Sequence, residues 1–480
     1  MKKLILVPIS FILVAIWNVY GNPASPDAVA AAETASAAAY ISPTSGKIPI
    51  IAFDPYNTTR TPTRQMFDTL ISCGFNSAIF SDSIEKLYPL MSRINNRDIS
   101  LIIGLQWFVD NEDVDLCENV VEEIQERMAR LRINSERLGG YFVYDEPRVR
   151  NMSDIHSFYS AISQADPSHM PIVNLVGEPA SDFMQPQRAH RVFSNDSTKR
   201  NLLKSYLNMF CNMYSPAVLS YDFYPFELID ANTLNIYYSD FYYDLALFAH
   251  TSKARNIPFW AFCESMNVIY RGPDETRIYP QRPLPTEEYL RFEAFNALAL
   301  GAQGIAYWAY ACHPSNSLNE YYNSALIDSL GNKTTAWYAA QTVNREIAMY
   351  DTVFLGATLE AYQFVGDQYV RPTEVCSIPA RIDRILHIRR RSGKGALVSK
   401  LSNNGRKYII VVNQDPLNSS TIEFTYRYYG SVTHQIDTIH HPIRPIQPNL
   451  PSLQADSAWF TNSQQVTLRP SQYIIRRVYD

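Results

Sequence analysis

From Ile48 onward, short apolar runs alternate with longer stretches whose apolar residues recur at helical spacing. Eight such runs stand out: Pro49–Phe53, Ser77–Phe80, Ser100–Leu105, Gly139–Tyr144, Pro171–Leu175, Ala217–Tyr221, Pro258–Phe262 and Gly304–Trp308. Between or after them lie Thr63–Cys73, Asn119–Arg132, Asp154–Gln164, Glu287–Leu300 and Thr334–Met349, which carry the 3.6-residue period of an amphipathic helix. Continuous apolar strands that alternate with helices predict a parallel sheet covered on both faces. Eight βα units in about 300 residues predict a (β/α)8 barrel. An open doubly wound sheet is the alternative, but it usually has fewer strands, and no Gly-rich phosphate loop follows the first strand.

Beyond about Leu355 the texture changes. Arg384–Arg391, Gly395–Lys400, Lys407–Asn413, Thr421–Tyr428 and Gln465–Leu468 read as strands, separated by turns at Ser392-Gly393, Asn403-Asn404-Gly405 and Asp415-Pro416. The predicted organisation is therefore an α/β barrel over 48–353 followed by a β-sandwich over 354–480, with no catalytic residue expected in the sandwich.

The first residues read as an export signal: Lys2 and Lys3 precede an apolar segment, Leu4–Trp17, and Val19-Tyr20-Gly21 offers a cleavage site, so residues 1–21 would be removed. A membrane anchor is the rival, but the run is short of the roughly 20 residues needed to span a bilayer. Residues 22–47 are rich in Ala, Ser and Pro and read as a tether. The expected location is the periplasm or outside the cell, with no membrane span in the mature chain.

Composition narrows the partners. The chain has 480 residues, 46% hydrophobic and 19% charged, with a net charge of −5. Apart from Arg389-Arg390-Arg391 it has no basic run, so nothing asks for nucleic acid. None of the six cysteines forms a CxxC pair, and the nine histidines show neither HxH nor HExxH spacing. No metal or other cofactor is expected. The cysteines read mostly as buried thiols, with one or two disulfides open to an exported chain. The sequence does not specify an oligomeric state.

Active sites of such barrels lie at the C-terminal ends of the strands. Reading off the residues that follow each run collects Asp54, Trp107, Asp145, Glu146, Asn174, Asp222, Tyr224, Glu264, Trp308 and Tyr310 on one rim. Carboxylates serve proton transfer and displacement, and aromatic rings cover the apolar faces of pyranoses, so the combination points to carbohydrate. Several of these residues also have a plainer explanation. Asp-Glu-Pro is a common helix start; Glu264 could be a rim ion-pair partner; Asp222 could cap the next segment; Trp308 and Tyr310 could be barrel packing.

The stretch Gly140-Tyr141-Phe142-Val143-Tyr144-Asp145-Glu146-Pro147 resembles the fourth-strand motif of clan A glycoside hydrolases. Phe295-Asn296-Ala297-Leu298-Ala299-Leu300-Gly301-Ala302-Gln303-Gly304 resembles the last barrel units of exported bacterial glycosidase-like proteins, relatives of β-galactosidases among them. The resemblance implies a retaining glycosidase with Glu146 as acid/base, Glu264 as nucleophile and Trp308 as the floor of the sugar site. Asp54, Trp107, Asp145, Asn174, Asp222, Tyr224 and Tyr310 complete the expected substrate-binding set. One departure is visible: Asp145 stands where the clan commonly has Asn. A carbohydrate-binding barrel without turnover, or a glycosidase that pairs Glu146 with Asp222 or Asp145, are the alternatives.

The tether has too little apolar surface to offset the entropy of ordering it. Limited proteolysis is expected to trim the chain up to about Ile48 and leave the rest intact; protection of residues 25–45 would contradict this.

Overall fold

A computed structural model describes residues 44, 46–55, 63–81, 94, 97–106, 114–130, 132–177, 196–230, 233–271, 278–312, 320–369, 385–429, 437–438 and 459–478. The signal and nearly all of the tether, together with Trp107, Cys376 and His440-His441, lie outside them.

Eight parallel strands close into a barrel. In order round the wall they are β1 (Ile50–Phe53), β2 (Ser77–Phe80), β3 (Ser100–Gly104), β4 (Leu138–Asp145), β5 (Pro171–Val176), β6 (Leu219–Asp222), β9 (Phe259–Glu264) and β12 (Gly304–Trp308), which returns to β1. Each falls on one of the eight expected runs. Four reach further than the apolar pattern suggested, β5 by one residue to Val176, and in the other three Asp145, Asp222 and Glu264 are the last residues of β4, β6 and β9 rather than loop residues. The helices α1 (Arg64–Ser72), α2 (Val114–Arg130), α3 (Met152–Ala165), α4 (Asp196–Tyr214), α5 (Tyr238–Arg255), α6 (Glu287–Ala299) and α7 (Thr335–Ala348) follow in chain order, with a short α8 (Asp351–Phe354) at the end.

Alternate strand residues point inward and outward. The inward set, including Ile51, Phe53, Ile79, Ile102, Phe142, Ile172, Trp260, Phe262 and Ala306, fills the barrel. Phe53 meets Phe142 and Phe262 edge-on at 5.4 and 6.0 Å. Trp260 fits because position 304 is Gly: a Cβ there would lie 2.6 Å from the indole. The outward set joins the helices in one large core.

Two additions to the barrel were not foreseen, nor were the later strands over Thr358–Gly366, Asp437–Thr438 and Tyr473–Val478. A hairpin of β7 (Phe226–Leu228) and β8 (Leu234–Ile236) follows β6, and an antiparallel sheet forms from β10 (Asn267–Arg271), β11 (Ile278–Arg282) and β13 (Glu320–Ser324). β10 and β11 descend from the segment after the seventh barrel strand and β13 from the segment after the eighth, so this sheet belongs to the rim at the C-terminal ends of the strands. The alternation in Asn267–Arg271 and Ile278–Arg282, broken by Gly272-Pro273-Asp274, was the available signal.

Beyond α8 the chain forms two antiparallel sheets. One contains β14 (Thr358–Gly366), β16 (Gly395–Asn403), β17 (Arg406–Asn413), β21 (Tyr473–Val478) and β19 (Asp437–Thr438); the other contains β15 (Ile385–Ser392), β18 (Ser420–Tyr429) and β20 (Trp459–Leu468). Val398, Ile409 and Val411 of the first share an apolar cluster with Ile422, Phe424 and Val466 of the second. The described residues from Thr44 onward fall in a single compact unit. The joint is α6, which is buried on all sides: Phe295 stacks on Tyr473 with ring centres 3.6 Å apart.

Also on α6, Arg291 forms a two-pronged ion pair with Glu346 of α7, both contacts at 2.9 Å, with side-chain exposures of 7% and 3%. Removing one member of a buried pair strands the other charge, at a cost of about 3–5 kcal/mol. Glu346→Ala should lower the unfolding free energy by on the order of 3 kcal/mol, read from urea denaturation, since Arg291 keeps its second partner Glu287.

Candidate active site

The rim of the barrel carries two non-glycine residues in the left-handed region of backbone space, Asp54 at φ 45° and Glu146 at φ 50°. Such conformations cost energy outside glycine and cluster at functional sites. Both follow directly on barrel strands, β1 and β4. The Glu146 turn is held from two sides: its N–H donates to Asn174 O at 2.9 Å, and Tyr206 of α4 donates to Pro147 O at 2.8 Å. Asp-Glu-Pro does not start a helix here. A 3-10 turn over Val149–Asn151 intervenes, and α3 begins only at Met152.

Beside this turn three side chains form one network. Asn174 Nδ2 donates to Asp145 Oδ1 at 3.0 Å and to Asp222 Oδ1 at 3.3 Å. Its amide cannot flip, because Ser220 Oγ donates to its Oδ1 at 2.8 Å. The sequence placed Asn174 and Asp222 on the rim; Ser220, which sets the amide's orientation, was missed because a buried serine inside a strand carries no signal. Burial pushes Asp145 up to about 7, helped by the neighbouring Glu146 charge and opposed by the Asn174 hydrogen bond. Asp222 is likewise pushed up to about 7 by burial and then by Asp145, while Arg282 and hydrogen bonds from Glu146 and Tyr224 pull it down. A hydrogen bond between the carboxyl groups of Glu146 and Asp222 requires a proton on one of them.

On the next strand round, Glu264 is 3% exposed. Arg282 Nη1, from β11, donates to its Oε2 at 2.8 Å. Its Oε1 has no hydrogen-bond partner among the described residues. Burial raises Glu264 to about 7, and the Arg282 guanidinium opposes that rise. The same guanidinium lies 4.8 Å above the Tyr224 ring. Tyr224 stacks on Trp308 with centres 5.7 Å apart, and Tyr322 of β13 meets Trp308 edge-on at 5.8 Å. Trp308 is the register partner of Glu264. Arg282 and Tyr322 were not foreseen, since both arrive on the unexpected sheet.

Of the ten rim candidates, the structure thus links Asp145, Glu146, Asn174, Asp222, Tyr224, Glu264 and Trp308. Tyr310 is turned to the other side of the wall: it is 1% exposed, its ring packs on Phe75 at 5.4 Å, and its hydroxyl accepts from Trp337 Nε1 at 3.1 Å. Asp54 is partly buried at the end of β1, and its carbonyl accepts from Ala311 N–H at 3.3 Å. Trp107 lies outside the described residues. Cys263, next to Glu264, faces outward and is a free buried thiol, as are Cys73, Cys211 and Cys312. Among the described residues no three His, Cys, Asp or Glu side chains converge to hold a metal ion, and no helix is long and apolar enough to cross a membrane.

No family model and no curated protein matches the chain. Among solved structures it is similar to a family 5 glycoside hydrolase from Bacteroides vulgatus, 10% identical over 90% of this chain and 89% of that one, with a TM-score of 0.46. It is also similar to a β-galactosidase from the Antarctic haloarchaeon Halorubrum lacusprofundi (10% identity, 89% and 98% covered, TM-score 0.41) and to an α-amylase from H. orenii (9%, 90% and 99%, 0.40). Likeness at this level concerns the fold and carries no side chain across.

A carboxyl that titrates near 7 when folded and near 3.9 when unfolded binds its extra proton only in the folded chain over that window. Stability therefore falls as pH rises from about 4 to about 7. Asp222→Asn keeps an acceptor for Asn174 and removes the titration. Its melting temperature relative to wild type should rise between pH 4 and pH 8; a difference independent of pH would contradict the assigned shift.

Proposed function

We propose that this chain is a glycoside hydrolase with Glu146 as proton donor and Glu264 as nucleophile. What supports the reading is one continuous line of contacts across the rim. Glu146 bonds Asp222, Asp222 bonds Tyr224, and Tyr224 lies against both Trp308 and the Arg282 that holds Glu264. Glycosidic cleavage needs a proton on the leaving oxygen and a negative charge at the anomeric carbon, and this line ends in one group for each. β4 and β9 stand three strands apart round the wall, and β12, carrying Trp308, lies diametrically across from β4.

In the proposed reaction the sugar lies on Trp308, its apolar face against the ring. Glu146 transfers the proton it shares with Asp222 to the glycosidic oxygen. Glu264, kept anionic by Arg282, bonds to the anomeric carbon as the C–O bond breaks. Water, deprotonated by Glu146, then releases the sugar with retained configuration. Asp145 and Asp54 hold hydroxyl groups, and Asn174, buried and bonded to Asp145, Asp222 and Ser220, orients the two aspartates. A second reading rests on the near-complete burial of Glu264 under Arg282: Asp222 would then be the partner of Glu146, or the barrel would bind carbohydrate without turnover. We further propose that residues 354–480 form a β-sandwich that braces the barrel, and that the chain is exported by its N-terminal signal to act on carbohydrate outside the cytoplasm.

A screen of chromogenic glycosides and polysaccharides supplies the substrate. Glu146→Gln should then lower kcat by about 10²–10⁴-fold on a poor leaving group and far less on an activated aryl glycoside, whereas Glu264→Gln should abolish turnover of both. Near-normal activity of Glu264→Gln on a substrate that Glu146→Gln loses would make Asp222 the nucleophile. A wild type that binds oligosaccharide and turns over none would establish the binding reading.

A further inference from the structure

Behind Glu264, in the layer between the barrel wall and its helices, sits a second carboxyl group that the proposed chemistry does not use. Glu293 lies in the middle of α6 and is 2% exposed. Its Oε1 accepts the backbone N–H of Glu264 at 3.3 Å. Its Oε2 has no hydrogen-bond partner among the described residues, and no ion pair to Glu293 occurs among them. Arg282, whose charge also acts on Glu293, is engaged with Glu264.

Among the groups that face Glu293 from the packed elements, the opposition to a negative charge comes from burial and from Glu264, and it outweighs the Glu264 N–H and Arg282, which favour the charge. From β9 come Glu264, itself a carboxylate, and Cys263, whose thiol is pushed up by burial and then by Glu293. From β6 comes Tyr221 and from β12 Tyr307, both buried phenols held well above their ordinary range by burial first. From β11 comes Arg282, which attracts Glu293 only as a minor influence. An unpaired carboxylate in such surroundings costs far more than binding a proton.

We propose that Glu293 is a positioning residue for Glu264: a neutral carboxylic acid that fixes the end of β9 through the Glu264 N–H and leaves the anionic charge of that wall to Glu264. The inference rests on the reading of Glu264 as the reacting carboxylate. Its physical content is simple. If Glu293 ionised, two buried carboxylates would share one guanidinium, and Glu264 would keep its proton to higher pH. Burial and then the adjacent Glu264 charge raise Glu293 well above the ordinary carboxylate range, against the smaller pull of the Glu264 N–H and Arg282.

The test compares Glu293→Gln, which keeps a carbonyl acceptor and no charge, with Glu293→Leu, which keeps neither. Infrared difference spectra of the full chain at neutral pH should show a buried protonated-carboxyl band that both variants lose and Glu264→Gln retains. The ionisation midpoint of Glu264, assigned in the same spectra by Glu264→Gln, should move in Glu293→Leu and return toward the wild-type value in Glu293→Gln. With a substrate in hand, Glu293→Leu should lower kcat at least tenfold with little change in KM and shift the acid limb of the pH profile, and Glu293→Gln should rescue most of both. Absence of the protonated band, or a Glu264 midpoint that is the same in both variants, overturns the proposal. If the wild type turns over no glycoside, the glycosidase reading falls, while the two infrared results still decide the charge and the coupling of Glu293.

Discussion

Holding carboxyl groups out of water is the constraint on which the rest of this structure depends. Glu264 and Glu293 are buried and Asp145 and Asp222 half-buried, and among the described ion pairs one guanidinium, that of Arg282, serves the group. An isolated buried carboxylate is too costly to keep, so such groups must share protons, accept hydrogen bonds or stay neutral. Here Asp222 bonds Glu146, Asp145 and Asp222 divide the Asn174 amide, and Glu264 takes the guanidinium. The result is a set of acids poised near neutrality rather than far below it.

Such an arrangement survives only on a stiff frame. Three of the four groups that carry it, Asp145, Asp222 and Glu264, end barrel strands, so ladder hydrogen bonds fix their backbone before any side-chain contact forms. The barrel interior is packed with Phe53, Phe142, Trp260 and Phe262 beneath them, which removes room for the strand ends to relax. Outside the wall α6 does three jobs at once. It anchors α7 through Arg291 and Glu346, receives the C-terminal sheets through Phe295 and Tyr473, and bonds the end of β9 through Glu293.

The sheet of β10, β11 and β13 gives the rim its only described cation for Glu264 and the edge-on Tyr322 that backs Trp308. It is built from segments that leave adjacent barrel strands, β9 and β12, and pair with one another above the wall. This is how a barrel acquires a particular site: the strands supply common positions at the rim, and the connections between them decide which charges and rings arrive there.

The amino-acid pattern by itself determined the barrel. Alternation of short apolar runs with amphipathic helices is a local signal, written within a dozen residues at a time, and closed parallel sheets tolerate little else on both faces. The same pattern located the rim positions, because the residue after a buried strand has one place to go; hence Glu146, Asp222, Glu264 and Trp308 were legible as neighbours. Only the tertiary structure decided what those residues do to one another. That Tyr310 packs against Phe75 and Trp337 outside the wall, whereas Trp308 two residues earlier stays at the site, depends on the local path of the chain beyond β12. That Ser220 orients Asn174, that Arg282 covers Glu264 and that Glu293 lies behind it are encounters between residues 18 to 46 positions apart. No local pattern encodes such pairs, because burial, charge and hydrogen bonding act through space once the wall is closed.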